Sequence, residues 1–212
     1  GYRHKMEELL AAERQKVMQV TLEAIAAIAK TEEAKDSYTN AHSERVADTS
    51  VKIAKKLGWS EEKVEKLRYQ ALLHDIGKIG IPDRILNKHK NLTEKEYGIM
   101  KQHVKIGADI LKNLSTMEGL EEGALYHHER WDGKGYLSGK KREEIPEAAR
   151  IIAVADTYDA MSFERIYRGS FDESHVTEEI RCGRGTQFDP KLVDILLSLI
   201  EDGTIDVEKL YA

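Results

Sequence analysis

The stretch LLHDIGKIGIPD, Leu72 to Asp83, sets a histidine and an aspartate side by side directly after two leucines, with Lys78 three residues beyond the aspartate. The residues before it, WSEEKVEKLRYQA, read as a helix capped at its start by Ser60 and running on to Asp75. Gly77 and Gly80 end that helix, and Ile81-Pro82 turns the chain out. The imidazole and the carboxylate therefore sit where an apolar helix face enters a core. A charge buried there without a partner costs several kcal/mol. The pair demands partners from elsewhere in the chain.

Outward from this stretch the pattern is helical almost throughout. A helix from about His42 to Leu57 shows its apolar face at Val46, Ile53 and Ala54 and stops at Gly58. NLTEKEYGIMKQHVKIGADILKNL opens with a capping box, Thr93 with Glu96. Another helix begins at about Leu120 and runs into YHHERWDGKGYL, whose DGKG reads as a loop. Pro146 marks the start of a mostly buried helix, EAARIIAVADTYDAMS. The last helices cover about Glu173 to Arg181 and Pro190 to Glu201. There is no alternating strand pattern of useful length, no internal repeat and no low-complexity segment. The expected fold class is all-α.

The first segment, Tyr2 to about Lys30, is helical but thinly apolar. Met6, Leu10, Val17, Val20, Ala24 and Ala27 alternate at spacings of three and four, interrupted by Glu13, over about three heptads. Two readings stand: an amphipathic helix packed on the domain, or a coiled-coil-like signalling helix joined to an upstream sensor. The expected division is a linker helix over residues 1–30 and a second unit over residues 31–212. A homodimer through the first helix is an expected partner arrangement.

Composition narrows the function classes. The 212 residues are 41% hydrophobic and 33% charged, ordinary for a globular domain. A formal charge of −5 offers no basic footprint for a nucleic-acid polymer. A small anionic substrate stays open, since a local metal or lysine outweighs the global sign. The single cysteine, Cys182, rules out an internal disulfide and suits a reducing compartment, the cytoplasm. No apolar run reaches about 18 residues, so no membrane span is expected, and no signal peptide is recognisable.

Five of the eight histidines, His42, His74, His103, His127 and His128, lie in the helical core region, each next to apolar residues. Asp156 is embedded in the apolar run IIAVADTYDAM. One buried histidine is ordinarily a hydrogen-bonded core residue. Five of them with two core aspartates, Asp75 and Asp156, are satisfied together by a shared metal centre. Imidazole plus carboxylate without thiolate favours iron, manganese, cobalt or nickel over zinc or magnesium. Seven ligands are too many for one ion. They suit two ions bridged by a shared carboxylate, typically about 3.5–4 Å apart, a geometry that clamps a phosphate for in-line attack. Lys78, next to the cluster, is placed to reach a bound phosphate, although a lysine at a helix end is commonly just exposed.

At this point the residues are recognisable. HDIGKIGIPD resembles the HD superfamily of metal-dependent phosphohydrolases, and specifically its HD-GYP branch. Five further blocks agree in order: YTNAHSERVA from Tyr38, MKQHVKIGADIL from Met100, YHHERWDGKGYL from Tyr126, RIIAVADTYDAM from Arg150 and GRGTQFDPKLV from Gly183. The resemblance runs from about residue 36 to about residue 200. It implies an HD-domain helical bundle that hydrolyses cyclic dinucleotides, chiefly cyclic di-GMP, with two or sometimes three ions, often iron or manganese. Carried over by position, His42, His74, Asp75 and Asp156 hold one ion. Asp75 bridges to a second, held by His103, His127 and His128. Asp75 and Lys78 are the implied catalytic pair, with Lys78 on the scissile phosphate. Arg165 and Arg168 match the basic pair near the substrate, and Tyr136 joins them as a substrate contact. Their alternative is a solvated helix end. The resemblance further implies a contact with a diguanylate cyclase or another signalling protein through the Gly135-Tyr136-Leu137 loop.

Two departures from the family pattern matter. The naming triplet reads Gly135-Tyr136-Leu137, with leucine in place of proline, so the loop is expected to persist with altered rigidity. Members with three metals carry a glutamate four residues before the first histidine. Tyr38 stands there, which argues for two metals and leaves Asp36 or Glu44 as substitutes. The expected function is a phosphodiesterase that opens a cyclic dinucleotide to the linear dinucleotide and further to GMP if the product rebinds. The competing readings are a catalytically weak binding or interaction module, and a nucleotide phosphomonoesterase.

Overall fold

The run IIAVA is apolar, and the helix it belongs to is buried over most of its surface, with Ile151, Ile152, Val154, Ala155 and Tyr158 each almost without solvent contact and Ala153, Asp156 and Thr157 facing a cavity. The computed structural model describes residues 2–35, 41–114, 117–167 and 172–206. Among them the α-helices are α1 (Tyr2–Lys35), α2 (His42–Lys56), α3 (Glu61–Leu72), α4 (Asp83–Leu86), α5 (Glu94–Lys101), α6 (His103–Leu111), α7 (Glu121–Tyr126), α8 (Glu147–Tyr167), α9 (Glu173–Cys182) and α10 (Pro190–Glu201). Two short 3₁₀ segments, Ile76–Gly80 and Arg142–Glu144, link them. The described residues contain no β-strand, only an isolated bridge between Arg184 and Phe188. The all-α expectation holds.

α8 is the central element, touching α2, α7, α9 and α10. Against it pack Val46, Ala47, Ile53 and Ala54 of α2, Val64 and Leu67 of α3, and Leu192, Leu196 and Leu199 of α10. Each fully buried leucine or isoleucine here contributes about 1.5–3 kcal/mol of transfer free energy. Phe188 lies in this core and Trp59 packs against it, as core anchors should. The caps agree with the sequence reading. Ser60 accepts from Lys63 N, Thr93 and Glu96 close a reciprocal capping box, and Asp189 caps α10 ahead of Pro190.

A second, smaller cluster joins Tyr69, Leu73, Ile76, Leu111, Leu120 and Ala124 to Ile25 and Ala29 of α1. The foot of α1 is thus part of the folded body, and the helix continues past Lys30 to Lys35. The heptad positions behave differently. Met6, Leu10, Val17 and Val20 are all exposed, so the contact with the body uses residues off that stripe.

One boundary differs from the sequence expectation. The helix expected to reach Asp75 ends at Leu72, and the chain passes through a turn into the 3₁₀ segment. The reason is a crossing. A Cβ on Gly77 would lie 1.8 Å from His103 O and 2.5 Å from Gly107 N, so the backbone here runs directly against α6. A continued α-helix would carry Gly77 away from that contact. His74 and Asp75 consequently stand in the turn, at the junction of α3, α6 and α8.

Candidate metal centre

Three of the imidazoles are aimed by a main-chain carbonyl on the far nitrogen. His74 Nδ1 lies 2.7 Å from Ala71 O, His103 Nδ1 2.8 Å from Met100 O, and His127 Nδ1 3.0 Å from Gly123 O. These carbonyls lie three or four residues earlier, so local helical geometry alone fixes the rotamer. In each case Nε2 is left pointing inward. His128 is fixed by packing, with Tyr136 stacked on it at 4.5 Å between ring centroids and 32° between planes. Gly135 makes that stack possible. A Cβ there would lie 2.5 Å from Glu129 Cα and 2.6 Å from His128 O, so only glycine lets the loop fold back onto the double histidine.

The inward atoms converge on Asp75. Its Oδ1 lies 3.4 Å from His103 Nε2 and 3.6 Å from His127 Nε2, while its Oδ2 lies 3.4 Å from His74 Nε2 and 2.8 Å from Lys78 Nζ. Asp156 Oδ1 faces His42 Nε2 at 3.1 Å and His74 Nε2 at 3.8 Å. Ligand atoms within 4.8 Å of one another form three overlapping groups: Asp75, His103, His127 and His128; His42, His74 and Asp75; and His74, His127 and Asp156. All seven ligands expected from the sequence are brought together, and Asp75 belongs to two groups.

Electrostatics prepare the cluster for cations. Burial works to raise the carboxyl of Asp75, but Lys78, His74 and the neighbouring imidazoles outweigh it and hold the group well below the ordinary carboxylate value. Burial opposes the charge of Asp156 as well, and His42 and His74 again pull its carboxyl down. Burial holds His127 and His128 below the ordinary imidazole value, and the positive potential of neighbouring histidines adds to this, so their nitrogen lone pairs stay available. His42 goes the other way. Burial disfavours its charge, yet Asp156 and Asp159 raise it to about 10.

Four of the inward atoms, His74 Nε2, Asp75 Oδ1, His103 Nε2 and His127 Nε2, are buried and have no hydrogen-bond partner. Buried nitrogens and oxygens left in this way are costly unless something else binds them. A cation satisfies them all, so the residues present fit the divalent ions expected from the sequence. The donors are nitrogen and oxygen only, and Cys182 is exposed on α9.

A cavity of about 510 Å³ opens beside the cluster, lined among others by Tyr97, His128, Glu129, Lys134, Tyr136 and Asp156. Its rim is braced from behind by the closing sequence block. Trp131 N donates to Gln187 O at 3.1 Å and Asp132 N to Thr186 O at 2.8 Å, while Arg150 covers the Trp131 ring and pairs with Asp189. Trp131 is therefore a brace for the loop.

The remaining expected residues fall as follows. Lys78 is at the cluster, paired with Asp75. Tyr136 reaches the cavity as a cover on His128. The side chain of Arg165 and the whole of Arg168 lie outside the described residues, as do Asp36 and Tyr38. Glu44 is exposed and pairs with Lys30 at 3.7 Å, away from the ligand groups. His89 and His175 are exposed, as expected.

Sequence reasoning passed over four residues. Asp159 holds His42, and Arg45 holds Asp159. Glu129 anchors the loop through Ser138 N at 3.0 Å and Ser138 Oγ at 2.7 Å. Tyr97 donates its hydroxyl to that of Tyr136 at 3.0 Å. Asp159 had a visible signal, since it stands three residues after Asp156 in the same apolar helix.

A model of the HD domain matches residues 26–192. The chain belongs to the HD domain family. Within it the six ordered blocks place the chain in the HD-GYP branch. This HD domain chain is similar to the cyclic di-GMP phosphodiesterase of Thermotoga maritima, 45% identical over 174 residues, 81% of this chain and 47% of that protein. It is also similar to 3'3'-cGAMP-specific phosphodiesterase 2 of Vibrio cholerae, 37% identical over 172 residues, 80% of this chain and 33% of that protein. Among solved structures, a cyclic GMP-AMP specific phosphodiesterase of V. cholerae shares the HD fold at a TM-score of 0.66 and 22% identity, covering 85% of this chain and 49% of that one. The chain spans about half or less of the length of these relatives.

Proposed function

We propose that the chain is a metal-dependent phosphodiesterase acting on a cyclic dinucleotide, cyclic di-GMP in the first place. One observation carries the reading: Asp75 divides its two carboxylate oxygens between two sets of imidazoles, beside a cavity. His42, His74, Asp75 and Asp156 would hold one ion, and His103, His127 and His128 a second, with Asp75 shared. Two divalent ions, iron or manganese, would supply an acidified water and positive charge against the phosphate oxygens. The relatives' names support the substrate class.

The chain's own residues carry the rest. Lys78 brings an ammonium group to the phosphate oxygens as their charge grows. Tyr136 walls the cavity where the substrate lies, and Arg165 and Arg168 supply guanidinium forks for a phosphate or a guanine edge. The oxygen of water forms a new bond to phosphorus, the bond from phosphorus to the 3′ oxygen breaks, and that oxygen leaves with a proton. The product is the linear dinucleotide, and a second cut of the rebound product gives GMP. We assign this chemistry to residues 31–212 together with the foot of α1 that packs on them, and a linker role to the exposed part of residues 1–30, in a reducing, cytoplasmic setting suited to the exposed free thiol of Cys182. No helix among the described residues is long and apolar enough to cross a membrane.

The uncovered stripe of Met6, Leu10, Val17 and Val20 supports a parallel homodimer through α1. Light scattering of the chain with and without residues 1–20, a deletion that leaves Ile25 and Ala29 in place, tests this, and equal states of association dismiss the helix as dimeriser. Leu137, exposed at the tip of its loop, supports that loop as the contact for a diguanylate cyclase or another signalling protein.

Turnover of cyclic di-GMP, mixed cyclic GMP-AMP and a simple phosphodiester, under reducing conditions with added iron or manganese, tests the activity. Cleavage of the cyclic dinucleotides that stops on chelation is the expected result. Binding without cleavage makes the chain a sensor module, and cleavage confined to phosphomonoesters makes it a different hydrolase.

A further inference from the structure

We infer that Asp159, backed by Arg45, is a positioning residue that aims His42 and gives its cation position a stronger donor set than the position formed by His103, His127 and His128. The inference rests on the metal-centre reading above.

The argument starts from the backbone. An imidazole just past the end of a helix finds a carbonyl three or four residues earlier, as His74 after α3 and His127 after α7 do. His103 opens α6 but has the last turn of α5 behind it, and uses Met100 O. His42 is the first residue of α2, directly after Ala41, whose φ of 59° is left-handed. Its Nδ1 is met by a side chain from another helix. Asp159 of α8 lies with Oδ2 2.7 Å from His42 Nδ1.

That carboxylate is itself fixed. Arg45 Nε donates to Asp159 Oδ1 at 2.7 Å and Arg45 Nη2 donates to Oδ2 at 3.0 Å, and the guanidinium packs over Phe163. Asp159 is 3% exposed and Arg45 8%, so both are held away from water. The fork fixes the carboxylate plane, and the carboxylate fixes the ring of His42.

The chemical consequence follows from the acceptor. A carboxylate draws the Nδ1 proton more strongly than a main-chain carbonyl does, which makes Nε2 a better donor and selects the tautomer with its lone pair at Nε2. His42 Nε2 already faces Asp156. The position of His42, His74, Asp75 and Asp156 therefore combines two carboxylates with a carboxylate-backed imidazole. The other position has one shared carboxylate, two imidazoles backed by main-chain carbonyls and His128 held by a ring stack. The two positions should differ in affinity, and Asp159 should control only one.

Asp159→Asn tests this. An amide has one oxygen for two donors. Turned so that its NH₂ meets His42, it forces the proton onto Nε2; turned the other way, it opposes Arg45. The metal-stripped 212-residue chain is titrated with Mn²⁺ calorimetrically and with Co²⁺ by absorption. Wild type is expected to bind two equivalents. D159N is expected to keep one at wild-type affinity and to bind the other about 10–100-fold more weakly, with an unchanged circular dichroism spectrum. D159N binding both equivalents as wild type does overturns the inference, and so does equal weakening of both in a folded variant. Wild type that binds no Mn²⁺ or Co²⁺ sinks the metal-centre reading itself. A second measurement needs no variant: in Zn²⁺-loaded wild type, nitrogen-resolved NMR should place the Nδ1 proton of His42 at lower field than those of His74, His103 and His127. A position at equal or higher field overturns the assignment.

Discussion

Lys78 Nζ lies 2.8 Å from Oδ2 of Asp75, the carboxylate oxygen turned towards His74. The ammonium thus stands at the meeting point of the ligand groups, on a 3₁₀ segment pinned against α6. Its proposed work is on the phosphate and not on the cations. Lys78→Met is expected to retain both equivalents of Mn²⁺ and to lose about 10²–10³ in kcat on cyclic di-GMP. Metal content by elemental analysis and steady-state kinetics on the same preparation check this. Loss of metal in step with activity would make Lys78 a support for the cluster instead.

Gly77→Ala should be among the most damaging small substitutions in the chain. The added methyl would meet main-chain atoms of α6, which cannot rotate away as a side chain can. A loss of about 3 kcal/mol is expected, at the upper end of overpacking costs, together with displacement of His103. Thermal melting should show it, with Gly98→Ala as a control, since nothing lies within 4 Å of a Cβ there.

Leu137 sits at φ 57°, with Ser138 N donating to Tyr136 O at 2.7 Å across it. A leucine in the left-handed region costs about 1–2 kcal/mol. Leu137→Gly is expected to raise stability by up to about 1 kcal/mol, since the relief is offset by the freer unfolded chain. Leu137→Pro restores the family residue but cannot take this φ. It should lower the melting temperature and change the near-ultraviolet dichroism of Tyr136. A proline variant that melts as wild type does would show that the loop tolerates both backbones.

Glu96 gives a pH-dependent contact on α5. The Lys88 ammonium first, then the Thr93 N–H, draw its carboxyl down to about 2 from an ordinary value of 4.5. A depressed folded-state value means that the contribution is fully present above about 4.5 and fades as the pH falls towards 2. A carbon-detected NMR titration should place the Glu96 midpoint near 2. Exchange of the Tyr97 N–H, bonded to Thr93 O, should quicken over the same window. A midpoint near 4.5 would mean that the cap is not held in solution.

What could be read from sequence was whatever depends on local pattern. Ser60, Thr93 with Glu96, and Pro190 announce helix starts through chemistry confined to one turn, and all three behave as read. The seven candidate ligands could be singled out because so many imidazoles and acids beside apolar residues have one economical solution, and the fold brings them together. Contacts between distant segments were not. Arg45 and Asp159 are 114 residues apart, and neither pattern alone reveals the other. The early end of α3 was hidden for the same reason, since its cause is the backbone of α6. Tyr97 was overlooked because an exposed tyrosine on a helix without buried residues gives no periodic signal.

α1 is 34 residues long, about 50 Å at 1.5 Å per residue, and it meets the body at Ile25 and Ala29. The cluster that receives it also contains Ile76, the residue after Asp75. A long helix is therefore seated one residue away from Asp75. The end of α1 that meets the body and the residue beside Asp75 thus share one apolar layer, and the exposed length of the helix extends from it.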